Sequence, residues 1–214
     1  MKPVLAWHFL TDSYIPGWGR RNKPLYVGHL WRMKGPIEIC KRGLHGSIQA
    51  GDALRYACGP IITRTEHSGT VVHGKDKLAS TRRKILGMAD ASTTLHEFAC
   101  DIATRVLHLE GVTDERYWDA IETRRKWIRG EATKNDMYHA RCALRDSAHS
   151  PHQDAVWGVA MIVLGHNPLN AAWDIFGKIY ENPTWYFSKD LSWDALNADL
   201  ESRLLCLLGM EDVE

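Results

Sequence analysis

Paired cysteines, glycine-rich phosphate loops and long apolar runs are all missing from this chain of 214 residues. The five cysteines (Cys40, Cys58, Cys100, Cys142, Cys206) are odd in number and never spaced C-x-x-C. That excludes a disulfide framework and a zinc ribbon or knuckle, and it fits reduced, largely buried thiols in a cytosolic protein. Neither G-x-x-x-x-G-K-[ST] nor G-x-G-x-x-G occurs, so the common phosphate-cradling fingerprints are excluded. No run reaches the roughly 18 apolar residues that span a bilayer. The longest candidate, Ala155 to Leu164, has the length of a core helix. Met1 to Leu10 lacks a long apolar segment and an A-x-A-like cleavage site, so no secretory signal is expected. Internal repeats and low-complexity segments are also absent.

What is present is an ordinary globular balance, 44% apolar and 25% charged, with an unusual nine tryptophans. Most of those rings should serve as core or interface anchors. The net charge of +1 conceals an asymmetry. Residues 1–90 carry 15 Lys and Arg against 6 Asp and Glu, a net +9, and residues 91–214 carry 12 against 20, a net −8. A basic half joined to an acidic half points to an anion as partner of the first, or to halves that attract each other or stack in a homo-oligomer.

Periodicity divides the chain at the same place. In the first part, Val4 to Leu10 alternates as a strand with Trp7 and Phe9 on one face and His8 on the other. Leu25 to Met33, Ile37 to Cys40, Pro60 to Glu66 with Gly69 to Val72 (a hairpin around Ser68-Gly69), and Thr81 to Leu86 are further strand candidates. A short helix runs from Ser47 or Gln49 to Ala57. From Asp90 the period becomes 3.6. Thr94-Leu-His-Glu97 fits a capping box, and Leu95, Phe98, Ala99, Ile102, Ala103, Val106 and Leu107 form one stripe. Thr113, Thr133 and Asn167-Pro168 open later helices, and the last helix runs from about Ser192 to Leu208. The expectation is an α+β fold: a basic sheet domain, 1–90, and an acidic helical bundle, 91–214.

The unit most able to carry chemistry is Cys40-Lys-Arg-Gly-Leu-His-Gly-Ser47, leading into that short helix. A helix start offers free N–H groups to a phosphate or carboxylate. Gly46 would let backbone approach closely, and Arg42 and Arg55 could add charge-assisted bonds around His45 and Ser47. Arg82-Arg83-Lys84 lies on a strand, with Arg82 and Lys84 on one face and Arg83 on the other. With Arg20, Arg21, Arg32 and Lys34, that first face could contact phosphates. The loop Pro16-Gly17-Trp18-Gly19-Arg20-Arg21 could stack on a base or tuck its ring back. His96-Glu-Phe-Ala-Cys100 imitates H-E-x-x-H, with His96 and Cys100 on one helix face. A third ligand is not apparent nearby, and the bland alternative has Glu97 capping the helix, so no metal is expected.

Pro36 to His45, Asp52-Ala-Leu-Arg-Tyr-Ala57, Gly74-Lys-Asp-Lys-Leu78 and Met88-Ala-Asp-Ala91 with Leu95 to Cys100 together resemble an uncharacterised domain of phage and prophage proteins. The similarity covers about residues 25–130. It implies an accessory protein of a bacterial host's cytoplasm and brings no biochemistry. Gly43-Leu-His-Gly-Ser47, Ala53-Leu-Arg-Tyr56 and Ile61-Ile62 with Gly69 to Val72 more loosely resemble the ADP-ribosyltransferase core, His45 standing where that family has Tyr. That resemblance implies NAD as cofactor, held by Tyr26, His29 and His45.

Three functions therefore stand as expectations. The first is an accessory protein that binds a nucleotide or nucleic acid through Arg42, His45, Ser47, Arg55, Arg82 and Lys84, with no cofactor and no membrane. The second is an NAD-using transferase. The third is an interaction module that inhibits a host protein through exposed tryptophans.

Overall fold

Two strands of unusual length dominate the N-terminal part, and the first, Ile61–His73, is rich in the β-branched residues that suit a pleated surface. The computed structural model describes residues 2–17, 23–147, 151–182, 185 and 188–210. The fold is α+β, an antiparallel sheet of five strands and seven helices among those residues. Two compact units result: Met1–Ala91 with Asn197–Glu214, and Ser92–Leu196.

In the first unit the strands are β1 (Val4–Leu10), β2 (Leu30–Arg32), β3 (Leu44–Gly46), β4 (Ile61–His73) and β5 (Leu78–Asp90), with α1 (Ala50–Leu54) between β3 and β4. The order is β1-β4-β5-β2, and β3 pairs β5 beyond the end of β2. The β4–β5 turn lies at Gly74–Lys77, where the Gly74 N–H donates to the Lys77 carbonyl at 2.7 Å. It does not lie at Ser68-Gly69, as the sequence suggested. Gly69, at φ +77, is instead an irregularity inside β4, where the register steps from Ser68↔Arg82 to Val71↔Ser80. A residue with positive φ that reads as a turn can equally be a bulge, which keeps the strand going while bending it. Ile37 to Cys40 is likewise no strand. It is a tight turn closed by reciprocal 2.8 Å backbone bonds between Glu38 and Arg42. Of Leu25 to Met33 only Leu30–Arg32 pairs.

The bend has a consequence for the site. β3 is bonded to β5, while the next residue, Ser47, exchanges two backbone bonds with Trp7 of β1, at 2.7 and 2.9 Å. The two sides of the sheet are thus joined through residues 44–47. Inside lie Ala6, Thr65, His67, Ser80 and Gly46. A Cβ on Gly46 would stand 2.8 Å from the His67 Nε2 and 3.1 Å from the Ala6 Cβ, so this glycine serves close packing on the imidazole. On the opposite face Arg64 lies over the Trp7 ring at 4.3 Å. There Gly87 approaches the end of the last helix, where a Cβ would meet the Met210 Sδ at 2.9 Å.

The second unit contains α2 (Ser92–Leu109), α3 (Glu115–Ile128), α4 (Lys134–Arg145), α5 (Pro151–Val163), α6 (Pro168–Glu181) and the start of α7 (Trp193–Leu208). The α2 stripe from Leu95 to Leu107 is buried throughout. Phe98 meets Phe176 at 5.6 Å, and Phe176 meets Trp193 at 4.9 Å. Thr133 and Asp136 form a reciprocal capping box, and the Asn167 side chain accepts from the backbone of Leu169 and Asn170. Two expected caps differ. α2 begins at Ser92, so Glu97 lies inside the helix and faces Arg125 at 4.0 Å. α3 is capped by Asp114, a better acceptor than the neighbouring Thr113.

Candidate anion-binding cavity

Alternation along β1, β4 and β5 places His8, Thr63, Thr65, His67 and Arg83 on one face of the sheet, the face turned away from α7. A cavity of about 580 Å³ opens on this face. Arg83 and His8 line its depth, and Trp31, Met33, Leu44 and Pro16 contribute apolar wall. Cys40, Lys41, Tyr56 and Lys77 also line it.

Arg83 is 2% exposed and has no carboxylate partner among the described residues. Its Nη1 donates to the His45 carbonyl at 2.8 Å, and its guanidinium lies 5.2 Å from the Trp31 ring centre. Its Nε has no acceptor among the described residues. Burial lowers its pKa to about 10, the mark of a cation held without a counter-charge.

Three imidazoles surround this group. His67 sits between two hydroxyls, with Nδ1 2.8 Å from Ser80 Oγ and Nε2 3.1 Å from Thr65 Oγ1. Both hydroxyls donate onward, Ser80 Oγ to the Arg82 carbonyl at 2.7 Å and Thr65 Oγ1 to the Ala6 carbonyl at 3.0 Å, so each turns a lone pair to the ring. Burial, then repulsion from Arg83 and His45, lowers the His67 pKa to about 3. His8 is held well below its ordinary value first by burial and then by Arg83, His67 and His45. Its Nδ1 is buried and has no partner among the described residues. His45 is lowered by burial first, then by Lys77 and Arg83, while a backbone hydrogen bond with Gly43 acts the other way. Near neutral pH Arg83 is therefore a guanidinium among three uncharged imidazoles, with Lys41 and Lys77 elsewhere on the lining.

The residues expected from sequence are only partly brought together. His45 and Ser47 line the cavity. His45 spends Nε2 accepting from the Cys40 N–H at 3.3 Å, and Ser47 is buried in the bridge to β1. Arg42 is turned onto the Lys34 carbonyl at 2.5 Å, and Arg55 pairs with Asp76 at 3.2 Å. Arg82 and Lys84 share a face as expected, but it is the exposed side of β5, opposite Arg83. The anion-ready start of α1 is already occupied. The Glu201 carboxylate accepts from Ala50 N–H at 2.9 Å, and the Asn197 side chain accepts from Gly51 N–H at 2.8 Å.

No family model, curated protein or solved structure matches this chain. The site's chemistry must be argued from its own atoms.

Tyr26 and His29 form a turn, with rings 4.8 Å apart, and do not line the cavity with His45. Of the tryptophans, none of the described ones is exposed, because their large apolar area is taken into the two units. Exposed Trp anchors for a host protein are thus not found among the described residues. The Trp18-Arg20-Arg21 loop lies outside them. His96 and Cys100 face the interior of the helical unit. Burial and then Arg124 lower His96 to about 4, and burial pushes the Cys100 thiol up to about 12. Among the described residues no group of three or more His, Cys, Asp or Glu is placed to hold a metal ion.

Sequence reasoning missed Arg83 and His8 as site residues. A signal was there. The polar residues Thr63, Thr65 and His67 alternate on a strand whose other evidence is for burial, which marks a polar interior face.

Proposed function

We propose that this is a ligand-binding protein whose sheet unit takes up a small anion of the nucleotide class in the cavity beside Arg83. The observation that carries the reading is Arg83 itself, 2% exposed and, among the described residues, without a carboxylate and with an unpaired Nε. An enclosed cation without a counter-charge costs several kcal/mol, and an anion entering the cavity offsets that cost. The setting we attach to it, an accessory protein of phage type in a bacterial cytoplasm, rests on the motif resemblance. NAD enters as one anion of this class.

The test is a thermal-shift titration of the full chain with adenosine monophosphate, NAD and inorganic phosphate. At least one should raise the melting temperature in a saturable way, and Arg83→Gln should abolish the rise. A rise that survives in Arg83→Gln sinks the assignment of the site.

A second reading has its own support. Arg32 stands directly across from Arg82, and Lys84 lies two residues along the same exposed face, none with an ion pair among the described residues. Like charges opposite each other favour an anionic partner, here a nucleic-acid backbone. That reading requires affinity to fall steeply with salt and to depend on Arg82 rather than Arg83.

A further inference from the structure

The cations around the cavity are unequally available. Lys41 is ion-paired with Glu38 at 2.5 Å, and Lys77 rests on the Tyr56 ring at 4.0 Å from its centre. Arg83 remains. With Nη1 bound to the His45 carbonyl, its orientation is set, and the edge formed by Nε and Nη2 has no protein acceptor among the described residues. That edge is a two-donor fork, matched to one carboxylate or to two oxygens of one phosphate. A second or third phosphate would find no further buried cation, only the half-buried Lys77 on its Tyr56 ring.

The space is larger than one such head needs. A volume of about 580 Å³ falls in the range of pockets that enclose organic ligands. Trp31, Met33 and Leu44 give it an apolar wall suited to a flat ring. His8 adds one directional group. Its Nδ1 is unpartnered among the described residues, and burial first, then the Arg83 charge, keeps the ring neutral, so it suits a neutral polar atom of the ligand.

We infer that the cavity takes a ligand with one flat aromatic ring and one anionic head, the head on the Arg83 fork and the ring against Trp31 and Met33. Nucleoside monophosphates and aromatic carboxylates share this chemistry. The inference rests on the anion-binding reading above and narrows it.

Isothermal titration calorimetry on the full chain separates the arms. The probes are adenosine monophosphate, indole-3-acetate, inorganic phosphate, acetate, adenosine triphosphate and a single-stranded oligonucleotide. One of the first two should bind at least about tenfold tighter than the bare anions and the triphosphate. Which of the two does so identifies the head group. Arg83→Lys, which keeps the charge and removes the fork, should weaken that probe about tenfold or more. Met33→Trp, which fills the cavity without touching Arg83, should weaken it as well, so a folding defect in one variant leaves the other to decide. If inorganic phosphate or the triphosphate binds as tightly and depends on Arg83, the ring-and-head class is wrong while the anion site stands. Oligonucleotide binding alone, indifferent to Arg83→Lys, or no binding by any probe, overturns both.

Discussion

Arg83 and Arg124 are both enclosed, yet they are tied down differently. Arg124 is fully buried, and its Nε and Nη2 donate to the Val163 and Gly165 carbonyls at 2.8 and 2.5 Å, which leaves Nη1 as its one nitrogen without a partner among the described residues. Those carbonyls end α5, where a cation satisfies orphan acceptors and meets the negative end of the helix. Arg83 has one hydrogen bond to a carbonyl and a buried Nε without a partner among the described residues. Removing the first leaves buried carbonyls unpaired; removing the second removes an uncompensated charge. Arg124→Met should therefore lower stability by about 2–4 kcal/mol, and Arg83→Met should leave it unchanged or raise it while abolishing ligand binding. Urea denaturation of the two variants decides it. Equal destabilisation would make Arg83 a structural tie and take it out of the site.

Short-range signals were legible at the level of elements, and long-range ones were not. The caps at Thr133 and Asn167 and the buried stripe of α2 follow from spacing within a few residues, and the structure has them as read. The short helix after Ser47 was also readable, but not what satisfies its first N–H groups, because Asn197 and Glu201 come from the far end of the chain. The same limit explains the Gly69 bulge, since only pairing with β5 tells it from a turn. It also explains the face of Arg83: alternation separated it from Arg82 and Lys84, but burial of that face is decided by β3 and β1 closing over it. The α1 contact carries its own prediction. Glu201→Ala and Asn197→Ala should each cost about 1 kcal/mol, the usual worth of a helix cap, and Glu201→Gln, which keeps an acceptor, clearly less. Amide hydrogen exchange at Ala50 and Gly51 should quicken in the alanine variants. Unchanged exchange at both amides would mean that α1 does not need α7.

At the scale of the whole molecule, the basic and acidic halves are not the two units, because Asp199 and Glu201 of α7 belong with the sheet. What the units share is imidazole held uncharged by burial: His8 and His67 in one, His96 in the other. Each has an ordinary value of 6.5 when the chain is unfolded, and in the fold His67 falls to about 3 and His96 to about 4. A depressed folded value means that the unfolded chain takes the proton first. The stability tied to neutral imidazole is thus fully present above pH 6.5 and is lost as pH drops toward those folded values. Each group can contribute a slope of up to about 1.4 kcal/mol per pH unit. Urea midpoints should be flat near pH 8 and 7 and decline between about pH 6.5 and 5, before most carboxylates titrate. His67→Asn should make that decline shallower whatever it does to stability at neutral pH, because it deletes a titrating group. If the wild-type midpoint stays level down to pH 5, the imidazoles accept protons inside the fold, and the uncharged surroundings assigned to Arg83 are wrong.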